Sequence, residues 1–228
     1  MTAAQMPARP RPSRPPTPRS VIAAKTVLHG LALLPLALLA RDMLDVYRTG
    51  SDALGADPVA TIEHTLGLWA LRLLLLTLAI TPLRQLLKQP LLLRFRRMLG
   101  LYAFAYATLH LAAWLVLDMR AFWAVIAEDL VKRPYITVGF AAWLLLVPLA
   151  ITSTIGWMRR LGRGWGQLHK LVYAIAVLAV LHFWWLVKSD IREPLLYAAI
   201  LAVLLGWRLA KAWQRRQQAR IATAARPN

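Results

Sequence analysis

The sequence predicts an all-α integral membrane protein with six transmembrane helices and both termini in the cytoplasm. Three observations carry this. The 228-residue chain is 59% hydrophobic, above the ~45–50% usual in soluble domains. Its apolar residues gather in six stretches of about twenty, the length that crosses a ~30 Å hydrocarbon core at ~1.5 Å per residue. Its formal net charge of +18 is confined to alternate connecting segments, the pattern of the positive-inside rule. In a soluble protein that charge would indicate nucleic-acid binding; here it reads as topology, and no nucleic-acid partner is expected.

Taken in order, residues 1–20 hold six prolines and four arginines and read as a disordered basic tail. The first apolar stretch, 21–40, contains Pro35. Its alternative reading is a signal-peptide core ending at Leu38-Leu39-Ala40. The loop over 41–65 is the longest, and too short for a second domain. The remaining stretches are 66–87, 98–117, 136–152, 168–187 and 195–213, with 214–228 as a basic cytoplasmic tail. The transmembrane domain thus spans 21–213. Trp69, Tyr102, Trp114, Trp165, Trp184, Trp185 and Trp213 lie near segment ends, as an interfacial belt would. Pro35, Pro82 and Pro148 kink helices inside a bundle rather than abolish them. No period-two alternation suggests a β-barrel, and no paired repeat of the kind transporters carry is legible.

Twenty basic residues and no acidic ones fall in the N-terminal tail, the second and fourth loops and the C-terminal end. All ten acidic residues, with seven basic ones, fall in the other three loops. This places the termini inside and leaves the outer loops net negative, a surface for a soluble partner. Arg72 alone stays within the bilayer. The glycine-rich run at 161–166 follows a transmembrane segment, with neither a preceding strand nor a downstream acid, so it reads as a basic turn rather than a dinucleotide site.

The absence of cysteine excludes disulfides, zinc-thiolate sites, iron–sulfur clusters and covalently attached haem. Metal chemistry is left to five histidines and the carboxylates. His110 in the third segment and His182 in the fifth sit ~4 Å and ~6 Å outward of mid-helix. The two helices run in the same direction, so both imidazoles reach one depth. That is the requirement for an axial pair on one b-type haem. His169 lies ~20 Å from His182 along the fifth helix, rotated by ~140° on an ideal helix. It is read as ligand to a second, offset haem or as a contact to a different cofactor. No histidine of the third segment matches it; Arg96 and Arg97 occupy that depth. Arg72 lies near the depth of the pair and calls for an anion, a haem propionate or the outer headgroups by snorkelling. His29 and His64 have no identifiable partner, though His64 with Glu63 suits a proton-coupled quinol site.

The same residues carry a resemblance. GADPV at 55–59, LAITPL at 78–83, RRMLGL at 96–101 with Leu109-His110, KRPYIT at 132–137, Leu168-His169 and Leu181-His182 resemble the haem-binding membrane subunit of the bacterial periplasmic methionine sulfoxide reductase system, the MsrQ family within the ferric-reductase-like transmembrane group. The resemblance covers about residues 55–190. It implies haem b held by the histidines matching His110, His169 and His182, and FMN as a further cofactor whose site the motifs do not place. It implies electrons taken from the quinone pool or a cytosolic flavin reductase. They would pass outward to a periplasmic molybdopterin-dependent subunit that reduces methionine sulfoxide in oxidised proteins. The expected location is the bacterial inner membrane. On this reading Arg72 offsets propionate charge, and Arg96 and Arg97 hold an anionic cofactor group at the inner face. The rival reading is a proton-coupled small-solute transporter working through His110, His182 and Arg72.

Overall fold

The structure is a computed structural model describing residues 19–187 and 189–224. The proline-rich segment expected to be a disordered tail lies outside the described residues up to position 18. Nine α-helices occur among the described residues: α1 (Arg19–Thr49), α2 (Pro58–Leu86), α3 (Leu93–Ala113), α4 (Trp123–Lys132), α5 (Pro134–Ile151), α6 (Ile155–Leu161), α7 (Arg163–Leu168), α8 (Leu171–Leu186) and α9 (Arg192–Ala224). Six helical segments are long and apolar enough to cross a membrane, and they overlay the six expected stretches. The fifth is formed by α7 and α8 together.

Local sequence sets the helix ends. Pro58 starts α2 at a position that needs no N–H donor, and the Asp57 carboxylate accepts from the Ala60 N–H at 3.0 Å. Asp57→Ala should therefore cost about 1 kcal/mol, read as a lower unfolding midpoint with the absorption spectrum unchanged. Pro134 starts α5 in the same way. Thr154 caps α6 through the Trp157 N–H at 3.3 Å. Gly162 turns the chain into α7 at φ 50° and ψ −120°, a backbone state open to glycine. The glycine-rich run is thus a helix–helix turn.

α2 is the central helix. Leu66, Leu71, Leu73, Leu74, Leu75, Leu78 and Ile80 are buried on it, which accounts for its leucine-rich sequence. It packs on α3, and α5 packs on α8. Ala103 on α3 and Ala176 on α8 are almost fully buried, small residues that let helix axes approach in lipid, where association depends on close packing. α1 and α9 lie at the periphery with most of their surface exposed. At ~1.5 Å per residue α9 is ~50 Å long, well beyond a ~30 Å core. Residues 214–224, expected as a separate tail, continue this helix.

All five ion pairs among the described residues involve Asp42, Glu128, Asp129 or Glu193. The carboxylates sit at one end of the bundle, the acidic end, as the segregated charges require. The opposite, basic end carries Arg84, Arg96, Arg97, Arg159 and Arg160.

Candidate functional site

Four helices, α2, α3, α5 and α8, enclose a cavity of about 470 Å³ whose lining is mostly apolar. His110 and His182 face it from α3 and α8. Their ring centroids are 6.2 Å apart and their planes meet at 69°. Two imidazoles bonded to one iron through Nε2 at about 2 Å would have centroids about 6.3 Å apart. The spacing of the two rings matches that of two imidazoles sharing one metal.

Hydrogen bonding prepares both rings for this. His110 Nδ1 lies 2.9 Å from the Glu63 carbonyl oxygen, and His182 Nδ1 lies 2.7 Å from that of Tyr135. A carbonyl only accepts, so each Nδ1 carries the proton and each Nε2 keeps its lone pair. Both contacts reach the N-terminal part of a neighbouring helix, Glu63 in the second turn of α2 and Tyr135 in the first turn of α5. Each ring also lies over a glycine. A Cβ on Gly67 would stand 3.2 Å from His110 Nδ1 and Cε1, and a Cβ on Gly139 would stand 2.7 Å from His182 Nδ1. Just beyond His110, α3 widens into a π-helical turn over Trp114–Asp118, a distortion frequent at functional sites. No group of three or more His, Asp or Glu side chains suited to a bare metal ion occurs among the described residues. Two imidazoles suit a metal whose other donors come from a macrocycle.

The two seats are copies of one another. Glu63, Gly67 and His110 recur at one constant offset as Tyr135, Gly139 and His182, and each histidine follows its carbonyl partner by 47 residues. The α5–α8 pair thus presents the same three positions as the α2–α3 pair, a correspondence not legible as a paired repeat in the sequence. The same offset pairs Thr65 with Thr137 and Leu109 with Leu181. That signal is present in the sequence but thin, because leucine runs match leucine runs by chance. The repeat runs in one direction through the membrane, so it brings the two imidazoles to one level from opposite sides.

His169 does not join the pair. It sits at the break between α7 and α8 rather than on a continuous helix, so the ideal-helix rotation does not apply. Its ring stacks on Trp165 at 4.0 Å, its Nδ1 lies 3.1 Å from the Trp165 carbonyl, and its buried Nε2 has no partner. The repeat places Arg97 at the position corresponding to His169, which explains why the third helix has no matching histidine. Arg96 is half-buried and Arg97 exposed; both start α3 at the basic end, and Arg96 is near enough to act electrostatically on His169. Arg208 of α9 reaches the same region, donating to the Tyr173 hydroxyl at 3.1 Å and to the Leu78 carbonyl.

Arg72 finds its anion within the protein. It donates from Nε to the Tyr197 hydroxyl at 2.7 Å, lies 3.7 Å from Glu193 and stacks over Trp69. Its contacts tie α2 to α9 beside the cavity rather than inside it. His64 shares Glu193 at 3.9 Å. The guanidinium that does line the cavity is Arg133, held by Asp129 at 3.2 Å at the acidic mouth. Sequence reasoning passed over it, because a loop arginine before a proline resembles any other outer charge. Glu63 also lines the cavity, with one buried carboxylate oxygen unpartnered. His29 bonds the Tyr102 hydroxyl at 2.8 Å and joins α1 to α3.

Residues 66–180 match the family described as "Ferric reductase like transmembrane component". The chain is 72% identical over 201 residues to the "Protein-methionine-sulfoxide reductase heme-binding subunit MsrQ" of Xanthomonas axonopodis pv. citri (strain 306), covering 88% of this chain and 92% of that protein. It is 47% identical over 211 residues to the protein of the same name from Bordetella pertussis (strain Tohama I), covering 92% of this chain and all of that protein. No solved structure matches the chain. The matched region contains His110 and His169 and ends just short of His182. Through these relatives and that match, the chain belongs to the MsrQ family, within the ferric-reductase-like transmembrane group.

Proposed function

We propose that this protein is the haem-carrying electron-transfer subunit of a protein-methionine-sulfoxide reductase. The observation that carries the reading is the paired seat: two imidazoles at one depth, 6.2 Å apart, each with its Nε2 left to bind metal by a backbone carbonyl on Nδ1. His110 and His182 would hold haem b from α3 and α8. The haem supplies one-electron redox chemistry. The chain's own residues orient the ligands, exclude water with apolar walls and balance charge. Arg133 at the cavity mouth is the group placed to pair with a propionate, while Arg72 braces α9 through Glu193 and Tyr197. His169 serves a second centre toward the basic end, where Arg96 and Arg97 hold an anionic cofactor group such as that of FMN.

On this reading both termini lie in the cytoplasm of a bacterium and the acidic end faces the periplasm across its inner membrane, an orientation that the segregated charges support. Electrons then enter from the quinone pool or a cytosolic flavin reductase and leave at the acidic end. There they reach a soluble molybdopterin-dependent subunit, which carries out the sulfoxide reduction. The α2–α3 and α5–α8 repeat favours one rival, a proton-coupled small-solute transporter, since transporters are often built from such halves. The absorption spectrum decides. Protein purified in detergent after expression with added haem precursor should show a Soret band that shifts on dithionite reduction. A fully folded protein with no Soret band would overturn the electron-transfer reading.

A further inference from the structure

We infer that Gly139 and Gly67 are positioning residues for the two axial imidazoles, and that Gly139 sets the plane of His182 more tightly than Gly67 sets that of His110. This rests on the haem reading above and deepens it. A histidine ring tethered at Cγ and bonded through Nε2 can still rock about the line joining those two atoms. Here each ring is held at two further points. Nδ1 is drawn toward a carbonyl, of Glu63 or Tyr135. The ring face lies where a side chain would stand on the residue one helical turn further on, Gly67 or Gly139. Carbonyl and glycine are four residues apart in both halves, so each helix presents both holds on one face.

The two seats differ in clearance. An added Cβ at Gly139 would lie 2.7, 2.8 and 3.0 Å from His182 Nδ1, Cε1 and Cγ, so the ring plane must move. At Gly67 the nearest approach is 3.2 Å, which a small tilt relieves. The present planes meet at 69°, nearer perpendicular than parallel. The angle between axial imidazole planes governs the splitting of the iron d orbitals, and with it the ferric low-spin g values and the reduction potential. The glycines therefore act on the iron's electronic state through the rings, without touching the metal.

The experiment uses the full-length protein in detergent, with haem content, electron paramagnetic resonance of the ferric form and a redox titration as readouts. Gly206→Ala is the control, because a Cβ there meets nothing within 4 Å. Gly139→Ala should keep its haem, move the low-spin signal away from its wild-type position and shift the midpoint potential. Gly67→Ala should move both less, and Gly206→Ala should leave them unchanged. A haem-loaded Gly139→Ala protein with wild-type signal and potential would overturn the inference. Equal shifts in all three variants would overturn it too. If Gly139→Ala does not fold, Gly67→Ala decides: a displaced signal supports the inference, a wild-type one sinks it. A wild-type protein without any bis-imidazole signal instead overturns the haem reading itself, so the two failures are distinct.

Discussion

His182→Ala and His110→Ala are each expected to lose the low-spin haem spectrum almost completely, with haem affinity down at least ~100-fold. Disturbing a partner that only orients a metal ligand typically costs ~10–100-fold, and here the ligand itself is removed. No group of three or more His, Asp or Glu side chains suited to a metal ion occurs among the described residues to make good either loss, and Glu63, which lines the cavity, gives its carbonyl to His110. The neighbouring His64 is turned toward Glu193 and Phe183. Both variants should still fold, since His110 and His182 border a cavity rather than fill one. The check is the reduced-minus-oxidised spectrum and pyridine haemochrome content per folded chain. Wild-type haem content in both variants would remove His110 and His182 as ligands.

His169→Ala has the second large effect, and it is of another kind. The low-spin signal of the His110/His182 pair should remain, because His169 sits at the α7–α8 break, outside the cavity that the pair lines. Reduction by quinol or by a flavin reductase should fall at least tenfold. The buried Nε2 of His169 meets no donor from the protein among the described residues, which leaves its lone pair open to a further group. Its ring is nonetheless fixed, by stacking on Trp165 and by the Trp165 carbonyl. Stopped-flow reduction separates the outcomes: slow reduction by quinol with fast reduction by dithionite supports a role in electron entry. Unchanged quinol kinetics would assign His169 to packing alone.

The six helical spans were legible in the sequence, because span length is set by the bilayer and acts on long stretches. All six helical spans fall where the apolar runs predicted them. The pairing of His110 with His182 was legible for the same reason, since depth follows from counting residues along helices. What was not legible depended on backbone. Nothing in the identities of Glu63 and Tyr135 announces that their carbonyls, not their side chains, hold the imidazoles. The break at His169 was hidden because Leu168, His169 and Lys170 all tolerate a helix. Arg72 was expected to need an external anion, but Glu193 and Tyr197 lie far away in sequence and meet it only through the packing of α9 on α2. The duplicated seat was not legible because its marks are a few identities scattered through leucine.

The duplication also bears on assembly. Each hairpin offers one imidazole, so neither half alone can grip an iron from both sides. The group that bridges them would act as a clasp between two similar units, favouring the closed bundle by mass action.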